Sequence, residues 1–405
     1  MPFGYLATVL LWAACALAAW APPRRPRLLA RLGYLAGLMV NEVPQLVVVG
    51  LLVATAPLVV SGGIDGSPGS VVAALTALMT TALAVALARR GWSSEEAAVA
   101  AVAAAGLDES LVRAGPSRRS RLRVLLTPVP VRPRSVERLG NLHYGPHRRQ
   151  RLDVYRRREG PRGGPVLVYL HGGGYYSGDK RRGARALLHG LAQRGWVCVS
   201  ATYRLRPAAG FEDHLSDAKR VLAWAHENAA DLGGDASTLV MAGSSAGAHL
   251  TALCALSQGR PDLQPGLVEG ETRVSAAVCL YGYYGRYYGR DATEPIVSTP
   301  LALDAGGAPP FLVVHGTLDS YTSVEDARAL SARLRRGSSQ PVVHLELPGG
   351  QHGFDLVRSW RFQAVLGAVD ALVQHVDPHA SRPGVSQERG ETTGRGGRAG
   401  PSIRP

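Results

Sequence analysis

Gly243-Ser244-Ser245-Ala246-Gly247 sets a serine hydroxyl among small neighbours, at the junction of an apolar run (238–242) and an Ala-rich run (246–256). A serine on a tight strand-to-helix turn presents its Oγ at the top of a sheet, and small flanking residues let the backbone pass closely. The N-terminus of the following helix favours negative charge that develops there. The chemistry this suggests is nucleophilic acyl transfer through Ser245. Such a pattern also arises by chance in a Gly- and Ala-rich chain, so its strand-turn-helix context carries the weight.

A second, independent signal lies upstream. His171-Gly172-Gly173-Gly174 follows directly on the apolar run 165–170. The bland reading is an ordinary Gly-rich turn. The functional one is an oxyanion hole, in which backbone N–H groups point at the alkoxide of a tetrahedral intermediate. Glycines suit this because a Cβ would block close approach. The expected donors are the N–H groups of Gly173, Gly174 and Ala246. His171 reads as support for the loop, not as a proton carrier.

A serine nucleophile needs a base and an orienting acid, here expected in the chain order Ser, acid, His. His315-Gly316-Thr317-Leu318-Asp319 puts an acid just past the apolar run 311–315. Gly349-Gly350-Gln351-His352-Gly353-Phe354 puts a histidine on a Gly-rich loop past the run 342–347. Alone, Asp319 reads equally as a helix cap and His352 as a surface residue. Their order, both at strand C-terminal ends where an open sheet carries its site, favours the catalytic reading. His352 then takes the Ser245 proton, Asp319 orients the imidazole, and an acyl-enzyme forms and is hydrolysed. Asp326 and His315 are the fallback partners.

These residues need a scaffold, and the pattern from residue 135 to 377 supplies one. Residues 136–144 and 151–156 read as an opening hairpin-like pair. Strands are expected at 165–170, 196–203, 238–242, 274–281, 311–315 and 342–347, with helices at 184–194, 211–232 and 246–256. Short apolar strands alternating with helices predict a mostly parallel sheet covered on both faces.

The first 90 residues differ. Residues 1–23, 43–64 and 66–88 lack any Asp, Glu, Lys, Arg or His, and each holds a core near the ~20 apolar residues of a membrane span. A buried helical domain, or a signal peptide for the first run, is the alternative. No positive charge precedes the first run, whereas Arg24, Arg25, Arg27 and Arg31 follow it, which favours an anchor over a cleaved signal. About three spans are therefore expected in residues 1–90. Arg89 and Arg90 follow the third run, and residues 61–70 carry no positive charge. The positive-inside tendency then predicts a multi-pass protein of the cell membrane with its catalytic part facing the cytoplasm. Residues 91–134 read as a linker: an Ala-rich helix over 93–115 with a Ser-Ser-Glu-Glu start, then an Arg- and Pro-rich surface stretch. Residues 378–405 read as a disordered tail.

Composition sets the remaining bounds. With 46% apolar residues among 405, a large core is affordable. The net charge of +14 comes from Arg scattered through loops and flanks, with no zinc-finger, RNP-type or basic-zipper pattern, so nucleic acid is excluded as a partner. Anionic membrane lipid fits Arg beside apolar segments better. Cys15, Cys198, Cys254 and Cys279 form no CxxC or metal-ligand spacing and read as buried free thiols. No dinucleotide fingerprint, phosphate loop or ligand cluster is visible, so no cofactor or metal is implied. Nothing here bears on the oligomeric state.

With these motifs in place, the chain resembles the hormone-sensitive-lipase-like and related carboxylesterase families of α/β-hydrolases, over residues 165–376. His171-Gly172-Gly173-Gly174, Gly243 to Gly247, Asp319 and His352 carry the likeness. It is most similar to bacterial membrane esterases with several N-terminal spans, where Tyr175-Tyr176-Ser177-Gly178-Asp179-Lys180 is also familiar. The resemblance implies an α/β-hydrolase fold behind a transmembrane helical region, and a serine carboxylesterase or lipase acting on small-molecule or lipid esters. Ser245-Ala246-Gly247-Ala248-His249-Leu250 also resembles kynurenine formamidases, leaving amide substrates open, and an inactive membrane scaffold is the third reading. One departure concerns the helical cap usual in the family. Membrane spans stand in its place, so the insert 281–310, with Tyr283 and Tyr284, is expected to line the substrate mouth or to be a plain surface loop.

Overall fold

Apolar runs bounded by Gly and Pro become one eight-stranded sheet in the computed structural model of the chain, which describes residues 3–23, 25–63, 66–115, 117–160, 163–264, 272–291, 293–294 and 296–378. The anticipated disordered tail, apart from Pro378, lies outside the described residues.

Among the described residues, six helices precede the sheet: α1 (Phe3–Trp20), α2 (Arg27–Glu42), α3 (Gln45–Val60), α4 (Pro68–Ala104), α5 (Ser110–Arg113) and α6 (Arg118–Leu126). Then come β1 (Val136–His143), β2 (Arg151–Arg157), β3 (Gly164–Leu170), α7 (Arg185–Gln193), β4 (Val197–Ala201), α8 (Phe211–Asn228), β5 (Gly234–Ser244) and α9 (Ala246–Leu256). The chain continues with β6 (Ala276–Leu280), β7 (Phe311–Gly316), α10 (Val324–Gly337), β8 (Val342–Leu347) and α11 (Trp360–Val376). The strand order is β1-β2-β4-β3-β5-β6-β7-β8. β1 and β2 are antiparallel to each other and β2 to β4, and every other pairing is parallel. Helices and apolar side chains cover both faces, which form two separate buried clusters.

Register brings the loops together. Leu170 pairs with Gly243, so the Gly-rich loop after β3 and the turn after β5 emerge side by side. Gly316 pairs with Leu347, which does the same for the loops carrying Asp319 and His352. Open parallel sheets concentrate their sites at such strand ends.

The N-terminal helices correct the sequence expectation. By length and composition, α4 alone among the described residues is long and apolar enough to cross a membrane as a single helix. The physical reasons are local. α1 has 18 residues, about 27 Å at ~1.5 Å per residue, and α3 has 16, against a hydrocarbon core of about 30 Å. The break at Val43-Pro44 turns the chain by 92° between α2 and α3, and the pair passes the same test only if counted as one bent span. Pro44 lacks an N–H and disfavours helix at the residue before it. Three straight spans are therefore not supported among the described residues.

The linker is corrected too. No new helix starts at Ser93, because α4 runs unbroken for 37 residues through Gly91, and its Ala98, Val99 and Val102 join the buried cluster beneath α11. The Ser-Ser-Glu-Glu signature lies inside that helix. The Arg-rich stretch after residue 116 contains α6, capped by Ser117, whose side chain accepts from the Ser120 N–H.

Candidate active site

Ser245 occupies the turn between β5 and α9 with φ 54° and ψ −117°, a backbone conformation that L residues rarely adopt. Its N–H donates to the Leu280 carbonyl (2.9 Å), which ties the turn to the neighbouring strand. The flanking glycines are required by space. A Cβ on Gly243 would stand 2.2 Å from the Gly247 carbonyl oxygen, and one on Gly247 would stand 2.1 Å from the Leu170 carbonyl oxygen. The turn can form only if both positions lack a side chain.

Ser245, His352 and Asp319 stand in a hydrogen-bonded row. His352 Nε2 is 3.0 Å from Ser245 Oγ, and His352 Nδ1 is 2.7 Å from Asp319 Oδ2. Asp319 is almost wholly buried and is held by further donors: the N–H groups of Tyr321 and Thr322, and the Thr322 hydroxyl. Burial would raise its carboxyl, but hydrogen bonds from His315 and His352 outweigh this and hold it well below the usual carboxylate range. It is therefore ionised and matches an imidazole N–H at Nδ1, leaving Nε2 to accept from the serine hydroxyl.

The fallback residues separate here. His315 contacts the same carboxylate at 3.4 Å but faces the Thr322 carbonyl, not Ser245. Asp326 sits in the first turn of α10 and makes no hydrogen bond to His352.

The Gly-rich loop lies across from this row. No backbone hydrogen bond engages the N–H of Gly173 or Gly174, and Ala246 opens α9 directly behind the serine. Gly172 packs on the turn itself, where a Cβ would come within 2.9 Å of Ser245 Cβ. His171 is buried, its Nδ1 is 2.7 Å from the Gly172 carbonyl, and it stacks on Tyr203 at 4.5 Å. Burial pushes its pKa down to about 4, so it stays neutral near pH 7.

Two sets of partners were not anticipated from the sequence. Beneath the turn, Asp355 Oδ2 accepts from Ser244 Oγ (2.8 Å) and from the Ala184 N–H (2.7 Å), while Tyr281 donates to Oδ1. Tyr169 donates to Ser244 Oγ at 2.9 Å. Above it, Tyr175, with φ +66°, points its hydroxyl at His249 Nδ1 (2.7 Å) and so fastens the glycine loop to α9. His249 was visible as part of a resemblance only, and Asp355, three residues past His352, carried no periodicity signal.

A cavity of about 50 Å³ opens beside Ser245, lined by Gly174, Tyr175, His249, Tyr283, Tyr287 and Tyr288 among others. Tyr283 thus lines the site. Tyr284 does not, being fully buried in the core, which corrects the pairing of these two tyrosines at the mouth. A second cavity, of about 760 Å³, lies between α4, α6, α7 and α11, away from Ser245. Among the described residues no group of His, Cys, Asp and Glu has the arrangement of a metal site.

Comparison with known proteins finds esterases similar to this chain. A family model described as BD-FAE matches residues 152–284. The probable carboxylic ester hydrolase LipM of Mycobacterium tuberculosis is 38% identical over 273 residues, covering 60% of this chain and 63% of that protein. Esterase LipC of the same organism is 37% identical over 272 residues, 60% of this chain and 66% of its own length. The chain thus spans a little under two thirds of these relatives. Thermogutta terrifontis esterase 2, in a structure phosphorylated by paraoxon, superposes with a TM-score of 0.52 at 24% identity, covering 60% of this chain and 95% of that one, which shows a shared fold. Together, the sheet order and this superposition show an α/β-hydrolase-like, mostly parallel sheet fold, in a chain that is similar to these carboxylic ester hydrolases.

Proposed function

We propose that this protein is a membrane-anchored serine hydrolase that cleaves carboxylic esters through Ser245, His352 and Asp319. The observation that carries the reading is the continuous row Asp319 Oδ2, His352 Nδ1, His352 Nε2, Ser245 Oγ, beside a cavity that Gly174 and Ala246 also line. His352 removes the serine proton as Oγ attacks the ester carbonyl. The N–H groups of Gly173, Gly174 and Ala246 receive the oxyanion, and the ionised Asp319 stabilises the imidazolium. His352 then protonates the leaving alcohol, and water activated by the same imidazole releases the acid.

The small tyrosine-lined cavity favours short acyl groups, with the bulk of a lipophilic substrate on the alcohol side. Membrane anchoring is supported by what the N-terminal helices expose: Leu10, Leu11 and Leu17 on α1, Val49, Leu52 and Val53 on α3, and Val71, Leu75, Leu78 and Met79 on α4. Apolar surface that extensive and contiguous needs a partner, and lipid supplies one. Arg89 and Arg90 at the far end of the apolar part of α4 favour a cytoplasmic catalytic face.

The test is hydrolysis of p-nitrophenyl esters of increasing acyl length by membranes carrying the full chain or its Ser245→Ala variant. Activity on short esters that vanishes in the variant is the expected result. Equal rates in both, with the protein folded and membrane-bound, would overturn the reading.

A further inference from the structure

The loop that carries His352 is gripped from the N-terminal helices as well as from the hydrolase fold. Asn41 of α2 is fully buried, and its Nδ2 donates to the Gly349 carbonyl at 2.9 Å. Tyr34, two turns earlier on the same face, donates its hydroxyl to the carbonyl of His352 itself at 3.1 Å. The Tyr34 ring meets Tyr321 edge-on at 4.7 Å, and Tyr321 packs on the His352 imidazole at 5.3 Å. Arg361, buried on α11, closes the clamp. It donates Nε to the Pro348 carbonyl (3.0 Å) and one guanidinium nitrogen to the Asn41 carbonyl (2.7 Å), and it pairs with Glu42 at 3.2 Å. Residues 348–353 therefore lie between α2 and α11, and the imidazole inherits its position from both.

The other faces of α2 are committed differently. Gly37 abuts Ala18 and Ala19 of α1 closely enough that a Cβ would stand 2.9 Å from backbone. Leu28, Leu32, Leu35 and Met39, spaced four, three and four residues apart, form an exposed apolar stripe. That stripe adjoins the exposed apolar side chains of α1, and exposed Arg25 and Arg31 flank it. Leucines bordered by arginine on a helix packed against α1 and the apolar α4 match the surface of a bilayer with anionic headgroups.

We propose that α2 is a membrane-surface helix whose inner face positions His352, with Tyr34 and Asn41 as positioning residues and an anionic bilayer as the partner that holds the helix in place. This rests on the reading of His352 as the general base. Lipid fixes α2 on one side, α2 fixes the histidine loop on the other, and the proton-transfer distance to Ser245 depends on both.

The experiment uses the full chain in nanodiscs of phosphatidylcholine with phosphatidylglycerol, with p-nitrophenyl acetate as a substrate that needs no delivery from the bilayer. Tyr34→Phe removes one hydroxyl and keeps the ring, and should lower kcat about fivefold, the scale of one lost hydrogen bond, with KM and melting temperature unchanged. Asn41→Ala should lower kcat further. Should that variant fail to fold, Tyr34→Phe decides alone. A Leu32→Glu, Leu35→Glu double variant should lose kcat in nanodiscs to the level the wild type shows in detergent. Wild-type kcat in Tyr34→Phe, with His352→Ala inactive, would overturn the positioning role and leave the hydrolase reading standing. Full activity of His352→Ala would overturn the hydrolase reading itself. Undiminished kcat of the Leu32/Leu35 variant in nanodiscs would overturn the bilayer as partner.

Discussion

Ser244 and Asp355, 111 positions apart in the chain, share a buried hydrogen bond of 2.8 Å directly beneath Ser245. The serine before Ser245 thus points down into the fold while Ser245 points up into the site. Tyr281, which also donates to Asp355, lies edge-on to the His352 ring at 4.5 Å. One carboxylate therefore underlies both the serine turn and the residue that flanks the base.

Replacing Asp355 by Asn keeps its size but presents an amide to four donors, Ser244, Tyr281, Tyr169 and the Ala184 N–H. A buried donor left without its acceptor costs about 1–3 kcal/mol. The Asp355→Asn variant should lose about 3 kcal/mol, a drop in melting temperature of roughly 5–10 °C for a domain of this size. An unchanged thermal transition would show that the network carries no stability.

Asp319→Asn should leave binding intact and reduce kcat by about 10⁴-fold, because an amide donor at Nδ1 selects the wrong imidazole tautomer. KM for p-nitrophenyl acetate should change little. A loss of less than tenfold in kcat would point to another acid as the orienting group.

Stability should fall as the solution is acidified below neutral. Burial holds the pKa values of His171, His214 and His249 down at about 4, against an ordinary 6.5. Each is neutral in the folded protein and takes up a proton on unfolding at pH 5. The contribution is fully present above pH 6.5 and is lost as pH falls through about 4, so urea midpoints should drop across that window. A flat urea midpoint between pH 7 and 4.5 would contradict burial of these rings.

Tyr283→Ala should widen the cavity beside Ser245 and move the best p-nitrophenyl ester to a longer acyl chain, read as ratios of kcat/KM. Tyr284→Ala, deep in the core, should instead cost about 3–5 kcal/mol of stability at unaltered chain-length preference. If the two variants behave alike, the assignment of one to the mouth and one to the core fails.

What the sequence revealed of the site follows from how each part is encoded. Ser245, His352, Asp319 and the glycines of both loops lie in short contiguous patterns at strand ends, where local spacing is informative. The Asp355 network and the Tyr34–Asn41 clamp join residues far apart in the chain, and only the register of β3, β5 and β6 and the packing of α2 bring them together. The inner strands β3, β4, β6 and β7 were legible because they are buried almost throughout and therefore mostly apolar. The N-terminal helices were less so: composition marked the apolar runs but not the 92° turn at Val43-Pro44, nor the passage of α4 straight through residues 89–95.

That uninterrupted α4 ties the two halves of the molecule into one cooperative folding unit. Its first part lies among α1 and α3, while Ala98, Val99 and Val102 fill the core against α11. Cutting the chain after residue 134 to obtain a soluble enzyme would strip that cover from α11 and release the histidine loop from α2. Melting of the N-terminal helices should likewise surface as loss of esterase activity, in a single transition shared by both halves.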